Sequence, residues 1–453
     1  MESAKDSKPA FSTPIVAFRP HVNAVMDLAF SSDDMLLATA SGDQTSLLID
    51  MRTQQTRFVM AGHAASVKQV RFQPDNDCVL ATASRDGSVH LWDTRCRGTV
   101  AVFNTFVSLE SNPAGATESV QRKATYASVY NSIQGAHGAR QHPNISQNTG
   151  SAGVGAGQRD TPLKGEASGQ RGDVSVTALE FLSPDRKHLL LTASDSSTCV
   201  KLWDIRGRYT RGTPMPISAT RLPESHSKHR HFGITSLALS SDRARLYALS
   251  RDSTVYAYST NHLVLGSAPE LSLTTRWQRH GADGKEGLGP LYGFRHPKFL
   301  ATSFYVKASI RPTKGDKTEM LAVGSSNHCA VLFPTDETFL KHADPDVRTT
   351  STPTAPFADR PDLSRTVSGS AARMTDTIPI YNHGTALVRG HDKEVSSVTW
   401  TSEGELVTVS DNYLVRCWRE GREARDLRLG GEVEGRRWGC GWAEVADGFD
   451  DDE

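Results

Sequence analysis

Between residues 62 and 93 the chain alternates apolar and polar positions in three short runs divided by turn residues. Gly62-His63 leads into Val67, Val70 and Phe72; then comes Val79-Leu80-Ala81-Thr82-Ala83-Ser84; and after Arg85-Asp86-Gly87 the run Val89-His90-Leu91-Trp92-Asp93 follows. A period of two over such short runs, bounded by Gly, Asp and Ser, predicts β-strands. The order recurs around an apolar or aromatic anchor at Ile49, Trp92, Trp203, Tyr258, Phe333 and Trp418, with a serine eight positions earlier at Ser41, Ser84, Ser250, Ser325 and Ser410. Six positions before the anchor stand Asp43, Asp86, Asp252, Asn327 and Asn412; the Trp203 copy has Asp195 and Ser197 at these two places, which predicts a rebuilt turn. A repeated strand-and-turn unit that cannot bury its faces alone predicts an all-β propeller.

The units resemble WD repeats, in which a histidine before the first strand, a Ser or Thr, the turn Asp and the Trp form a buried hydrogen-bonded chain. His63, Ser84, Asp86 and Trp92 make the complete set. His21 and His391 stand four residues before Val25 and Val395, as His63 does before Val67. Such a chain satisfies polar groups that are costly to bury alone, so these histidines are read as structural and the best catalytic candidates disappear. Six blades are recognisable and a ring of seven stays open. Ile15-Val16-Ala17-Phe18, ahead of the first unit, is placed to close the ring on its last blade and hide the exposed strand edges.

Long inserts separate the units. The expected organisation is a flexible N-terminus over 1–14, a propeller over 15–430 with inserts at about 104–172 and 341–386, and a tail over 431–453. The first insert carries Asn112-Pro-Ala-Gly-Ala, Asn148-Thr-Gly-Ser-Ala-Gly-Val-Gly-Ala-Gly157 and few large apolar residues after Ile145, so disorder is expected across roughly 110–170. The second is rich in Ser, Thr and Pro, with Thr352-Pro353 and Arg365-Thr366-Val367-Ser368 as candidate phosphorylation sites, the alternative being an unmodified linker. A third, Gly-rich and charged, lies around His280 to Leu288, and the chain ends in an acidic run, Asp447 to Glu453.

Composition narrows the chemistry. Lys plus Arg and Asp plus Glu are 51 each, so no net field draws the chain onto nucleic acid or an anionic membrane. Cys78, Cys96, Cys199, Cys329, Cys417 and Cys440 are scattered without metal-ligand spacing, which reads as reduced thiols and no structural metal. A polar N-terminus and the lack of any long apolar stretch read as an intracellular chain with no membrane partner. No G-x-S-x-G, H-E-x-x-H or P-loop is present, and Gly153-Val-Gly155-Ala-Gly157 has no strand before it to make a phosphate cradle. The expectation is a non-enzymatic protein without cofactors.

Two strings carry a different message: Trp92-Asp93-Thr94-Arg95 and Trp203-Asp204-Ile205-Arg206, with a weakened copy at Ile49-Asp50-Met51-Arg52. Each clean copy sets a guanidinium at a strand end, where its planar fork suits a partner's carboxylate or backbone; a solvated strand end is the alternative. This W-D-x-R box resembles the one by which WD-repeat receptors dock on the damaged-DNA-binding adaptor of cullin-4 RING ubiquitin ligases. Further strings resemble the denticleless family: His21 to Ala29, Gly42-Asp-Gln-Thr45, Arg85-Asp-Gly87, Trp92 to Cys96, Ile133-Gln-Gly-Ala-His137, Tyr209-Thr210 and Ser303-Phe-Tyr-Val-Lys-Ala308.

That resemblance implies a nuclear receptor that docks on the adaptor through Trp92, Asp93, Arg95, Trp203, Asp204 and Arg206. It would present PCNA-bound replication and cell-cycle proteins for ubiquitination and degradation, touching DNA only through the clamp. Arg95 and Arg206 are expected on one face of the propeller and the turn residues Arg85 and Arg251 on the other, as substrate contacts. Family members usually carry a seventh N-terminal blade and many a long C-terminal tail, neither recognisable in this sequence. The other reading is a WD-repeat scaffold in chromatin or RNA-processing assembly.

Overall fold

The computed structural model describes residues 18–96, 98–108, 117–138, 174–207, 209, 215–223, 226, 232–265, 285–286, 289–315, 317–338, 340, 378–388 and 390–418. They belong to two compact units, one drawn from Met1–Asp173 with Arg208–Gly212 and the other from Val174–Gly207 with Thr213–Glu453. The expected all-β class holds: the described residues form six small sheets and almost no helix.

In the first unit the strands are β1 (Phe18–Arg19), β2 (Val25–Phe30), β3 (Leu36–Ser41), β4 (Thr45–Asp50), β5 (Gln55–Ala61), β6 (Val67–Gln73), β7 (Asn76–Ser84), β8 (Val89–Asp93), β9 (Val100–Ser108), β10 (Thr117–Tyr126) and β11 (Ser128–Ile133). Sheet 1 is the antiparallel set β2-β3-β4-β5 and sheet 2 is β6-β7-β8-β11, each the up-and-down unit of a propeller blade. Ala38, Ala40, Leu48 and Met60 of sheet 1 pack with Val67, Val70, Leu80 and Trp92 of sheet 2.

The second unit repeats the plan. Sheet 3 has β12 (Val176–Phe181), β13 (Leu189–Ser194), β14 (Lys201–Asp204) and β15 (Ser218–Ala219); sheet 4 has β16 (Ile234–Leu239), β17 (Arg245–Ser250), β18 (Thr254–Ser259) and, after β19 (Lys285–Glu286), β20 (Tyr292–Phe294). Sheet 5 has β21 (Ala308–Arg311), β22 (Met320–Val323), β23 (Ala330–Pro334) and, after β24 (Ile380–Tyr381), β25 (Thr385–Leu387); sheet 6 has β26 (Val395–Trp400), β27 (Leu406–Ser410) and β28 (Val415–Trp418). The short strands β19 and β24 add in parallel to the outer edges of sheets 3 and 4. Every residue of β13 and β16 is buried, because sheets 3 and 4 are covered on both faces, whereas β2 of sheet 1 exposes Leu28 and Phe30. In sheets 1, 2, 3, 4 and 6 the ladder slips one residue after the first pair of the innermost strand, a repeated bulge.

Four expectations need correction or fall outside the described residues. Phe18 does not close the last blade: β1 pairs with β9, Phe18 opposite Val107, because the first insert offers a free strand edge close by in the same unit. Disorder across 110–170 is likewise too broad. β10 pairs antiparallel with β9 and, at Thr125 and Tyr126, in parallel with Phe58 and Val59 of β5, and β11 completes sheet 2. The paired strands fall in the first part of the insert, ahead of its Gly-rich run, and their ladders satisfy the backbone. Ile15 to Ala17, residues 1–14, 139–173 and 341–377, the phosphorylation candidates, and the tail from 419 to 453 lie outside the described residues. The irregular turn of the Trp203 unit is one residue longer: Leu190 still pairs with Trp203, so Ser194, not Asp195, is the serine of that blade.

Inside sheet 2 the buried polar groups join into one chain. The Trp92 indole donates to Thr82 Oγ1 at 2.8 Å, and Thr82 Oγ1 lies 2.7 Å from His63 Nε2. His63 Nδ1 faces Asp86 Oδ2 at 3.2 Å and Ser88 Oγ at 3.0 Å. With the imidazole neutral, the donors run consistently if the threonine hydroxyl donates to Nε2 and Nδ1 carries the proton given to Asp86; the charged ring would donate from both nitrogens. The linking hydroxyl is therefore Thr82 and not Ser84, which instead ties the turn by donating to Ala65 O at 3.1 Å and accepting from Asp86 N at 3.2 Å. The sequence signal is a threonine ten residues before the anchor, visible at Thr39, Thr82 and Thr408. His21 and Trp418 use those threonines in the same way, at 2.6 Å and 2.8 Å.

A Thr82→Val substitution keeps shape but strands both the indole N–H and His63 Nε2, and is expected to cost about 2–3 kcal/mol in denaturant unfolding, more than Ser84→Ala. Equal or smaller loss than Ser84→Ala would remove Thr82 from its linking place. Acid is expected to act through the same cluster. Burial, then the charge of His63, hold the stacked His90 down to about 4 despite the nearby Asp86. Burial disfavours the Asp86 carboxylate, but hydrogen bonds and charge from His63 and the Ser88 contacts outweigh it and hold its pKa low. Below pH 6.5 the unfolded chain takes up a proton that folded His90 refuses, so stability declines from there toward pH 4; the Asp86 contribution is lost as pH falls further, below the ordinary carboxylate range. Thermal melts across this range should fall progressively for the wild type and less steeply between pH 6.5 and 4 for His90→Phe; identical slopes would contradict the assignment.

Candidate docking site

Trp92 and Trp203 are fully buried anchors, and the chain leaves the sheet immediately after each, at Asp93 and Asp204. The two W-D-x-R copies then adopt one geometry. Arg95 Nε donates to Asp93 Oδ1 at 2.9 Å and Nη2 to Oδ2 at 2.7 Å; Arg206 repeats both contacts with Asp204 at 2.9 Å and 2.7 Å. The backbone N–H of each arginine also donates to the same aspartate, at 2.9 Å and 3.0 Å. The bidentate pose needs a carboxylate's two oxygens, and each aspartate is placed by following a buried tryptophan.

The guanidinium groups remain open, with 61% and 67% of their side-chain surfaces exposed. Hydrogen bonding from Arg95 and Arg206 holds the carboxyls of Asp93 and Asp204 below the usual carboxylate range, so both pairs stay ionised at neutral pH. An exposed ion pair of this kind contributes little to stability. What it does is hold the arginine side chain in one orientation, folded back on its aspartate. The weakened copy lacks the pose: Asp50 accepts the Arg52 backbone N–H at 3.0 Å, but its side-chain cation is Arg57, at 3.6 Å.

At the turn ends of the sheets the second pair of arginines is differently engaged. Arg251 donates from Nη2 to Thr302 O at 2.9 Å and lies 4.2 Å above the Phe304 ring, so it anchors the loop from 298 to 307 to its own blade. Arg85 is half-buried in the turn of sheet 2. Sequence reading missed the Arg251 contacts because Thr302 and Phe304 lie some fifty residues away. The other family-like strings also have structural duties: Val306 is buried, Lys307 Nζ reaches Thr235 O at 3.1 Å, and Ala136 N donates to Gly87 O at 3.0 Å.

Among the described residues no group of three or more His, Cys, Asp or Glu is placed to hold a metal, and no helix is long and apolar enough to cross a membrane. The buried Asp252 binds His226 Nε2 at 2.8 Å, and Thr198 Oγ1 lies 2.8 Å from Nδ1 of the same ring. The hydroxyl comes from the turn between β13 and β14 and the carboxylate from sheet 4, where Tyr256 also donates to it at 2.6 Å; these groups are buried.

Comparison with known proteins agrees with this architecture. The WD domain, G-beta repeat family matches residues 12–50, 54–93 and 384–419. Cell division cycle protein cdt2 of Schizosaccharomyces pombe is 29% identical over 404 residues, covering 88% of this chain and 58% of the relative. Denticleless protein homolog B of Xenopus laevis is 25% identical over 93% of this chain and 45% of its own length, and the human denticleless protein homolog is 24% identical over 92% and 43%. The chain thus spans about half the length of the curated relatives it matches. The chain carries WD repeats, buries its tryptophan anchors within small antiparallel sheets, and is similar along nearly its whole length to cdt2 and the denticleless proteins.

Proposed function

We propose that this chain is a substrate receptor of a cullin-4 RING ubiquitin ligase. It docks on the damaged-DNA-binding adaptor and presents PCNA-bound replication and cell-cycle proteins for ubiquitination and proteasomal degradation. The observation that carries this reading is the pair of exposed arginines, Arg95 and Arg206, each locked by its own aspartate after a buried tryptophan. A guanidinium already ordered loses less side-chain entropy on binding, and each fork keeps donors for a carboxylate or carbonyl on the adaptor. Trp92, Asp93, Trp203 and Asp204 position the arginines rather than make the contact themselves.

The substrate side is assigned to the turn ends of the blades, with Arg85 and Arg251 as contacts. Arg251 plays this part through the loop it steadies, since Thr302 and Phe304 already occupy its guanidinium. The chain transforms no molecule; the ligase supplies the chemistry, in the nucleus, and DNA is met only through the clamp.

Capture of the purified adaptor by the full chain is expected to fall roughly tenfold or more for Arg95→Ala plus Arg206→Ala, with unchanged thermal melting. Equal capture by wild type and variant overturns adaptor docking through these boxes and favours the scaffold reading. A degron peptide carried on PCNA loaded on DNA is expected to bind this chain better than the peptide alone; equal binding without the clamp counts against the proposed trigger.

A further inference from the structure

One apolar patch of the first unit adjoins Arg95 and is built by the insert. The ladder of β11 on β8 sets Ser128 opposite Asp93 and Val129 opposite Trp92, then skips to Asn131 opposite Leu91. Tyr130 is the extra residue of a bulge beside the W-D-x-R box, the kind of irregularity that turns a side chain out of the sheet. Burial, followed by the charge of Asp93, pushes the Tyr130 hydroxyl up to about 12, while Arg95 opposes that rise, so both charged groups of the box lie within its reach.

The backbone stitches the patch to the box. Tyr126 N donates to Thr99 O at 2.8 Å and Ala127 N to Val59 O at 2.9 Å. Gly98 lies so close to the Tyr126 carbonyl that a Cβ there would collide with it. The segment leaving Arg95 and the segment entering β11 are thereby held together, and between them they expose Val100 at 66%, Tyr126 at 39%, Val129 at 41% and Tyr130 at 44%. Apolar and tyrosine surface around an ordered arginine is the composition of a protein-binding hot spot, rather than of a solvated loop.

We propose that Val100, Tyr126, Val129 and Tyr130 form an apolar ledge that docks, together with Arg95, on the adaptor. The partner surface it fits carries a carboxylate or carbonyl for the guanidinium and apolar side chains beside it. This rests on the adaptor reading and deepens it: the insert between β8 and β11 is part of the docking surface and makes the Arg95 box the stronger of the two. The occupant follows from continuity with the Arg95 box: the β11 ladder sets Ser128 opposite Asp93 and Val129 opposite Trp92, so the ledge borders the box directly. Because the ledge is held by main-chain hydrogen bonds, its contacts require little ordering on binding.

The test uses the full chain and the purified adaptor, with affinity measured for Tyr130→Ala, Val100→Glu, Tyr130→Phe, Arg95→Ala and the Arg95→Ala plus Tyr130→Ala pair. Tyr130→Ala and Val100→Glu are expected to weaken binding roughly tenfold, Tyr130→Phe to leave it near wild type, and the pair to lose less than the product of the single effects, since neighbouring contacts couple. Val100→Glu changes an exposed residue, so its effect stands if Tyr130→Ala folds poorly. Normal binding by both ledge variants, with binding lost on Arg95→Ala, overturns the ledge and leaves the adaptor reading intact. Normal binding by Arg95→Ala as well as the ledge variants overturns both. Self-association of the wild type that the ledge variants abolish, with adaptor binding unchanged, assigns the patch to a second copy and also overturns the proposal.

Discussion

The fold depends on satisfying polar groups buried inside the sheets. A tryptophan fills the gap between neighbouring blades well but brings an indole N–H with it, and a dry sheet interior offers no water to take that proton. Thr82, Thr192 and Thr408 accept it from Trp92, Trp203 and Trp418. In sheets 2 and 6 the same hydroxyl also meets the histidine before the first strand, so packing between blades and the turn geometry are coupled through single atoms. Sheet 1 has Ile49 at the anchor and keeps only the histidine half of the chain, His21 with Thr39 and Asp43.

The same anchoring explains how a rigid interior produces an ordered surface. The tryptophan fixes the end of the third strand, the aspartate after it sits at the rim, and the arginine two residues on folds back onto that aspartate. Nothing in this sequence of steps requires a partner, yet its product is an exposed cation with a defined direction. In the first unit the insert then passes beside that cation, adds β9 and β10 to the outer edge of sheet 1 and returns as β11 to finish sheet 2. An excursion between two strands of one blade thus becomes structure on its neighbour.

Legibility divided along this line. Strand runs, anchors, turn aspartates and the two W-D-x-R boxes were all readable, because each is a local pattern of side-chain period and turn chemistry. The serine eight residues before the anchor was also readable, but its duty was assigned wrongly: Ser84 ties the turn, while Thr82, two residues nearer the tryptophan's opposite partner, carries the chain. Period two alone shows that both residues share a face and cannot say which one reaches the indole.

By itself the sequence determined the repeated all-β plan, the buried anchors and the arginines that follow them, since these depend on residues within one blade. Only the tertiary structure decided that Phe18 pairs with β9, that the insert contributes β10 and β11, and that Arg251 is spent on Phe304. Each of these is a pairing between segments far apart in the chain. A strand edge or an aromatic face takes the partner that the rest of the fold brings within reach, and that proximity is written in no local pattern.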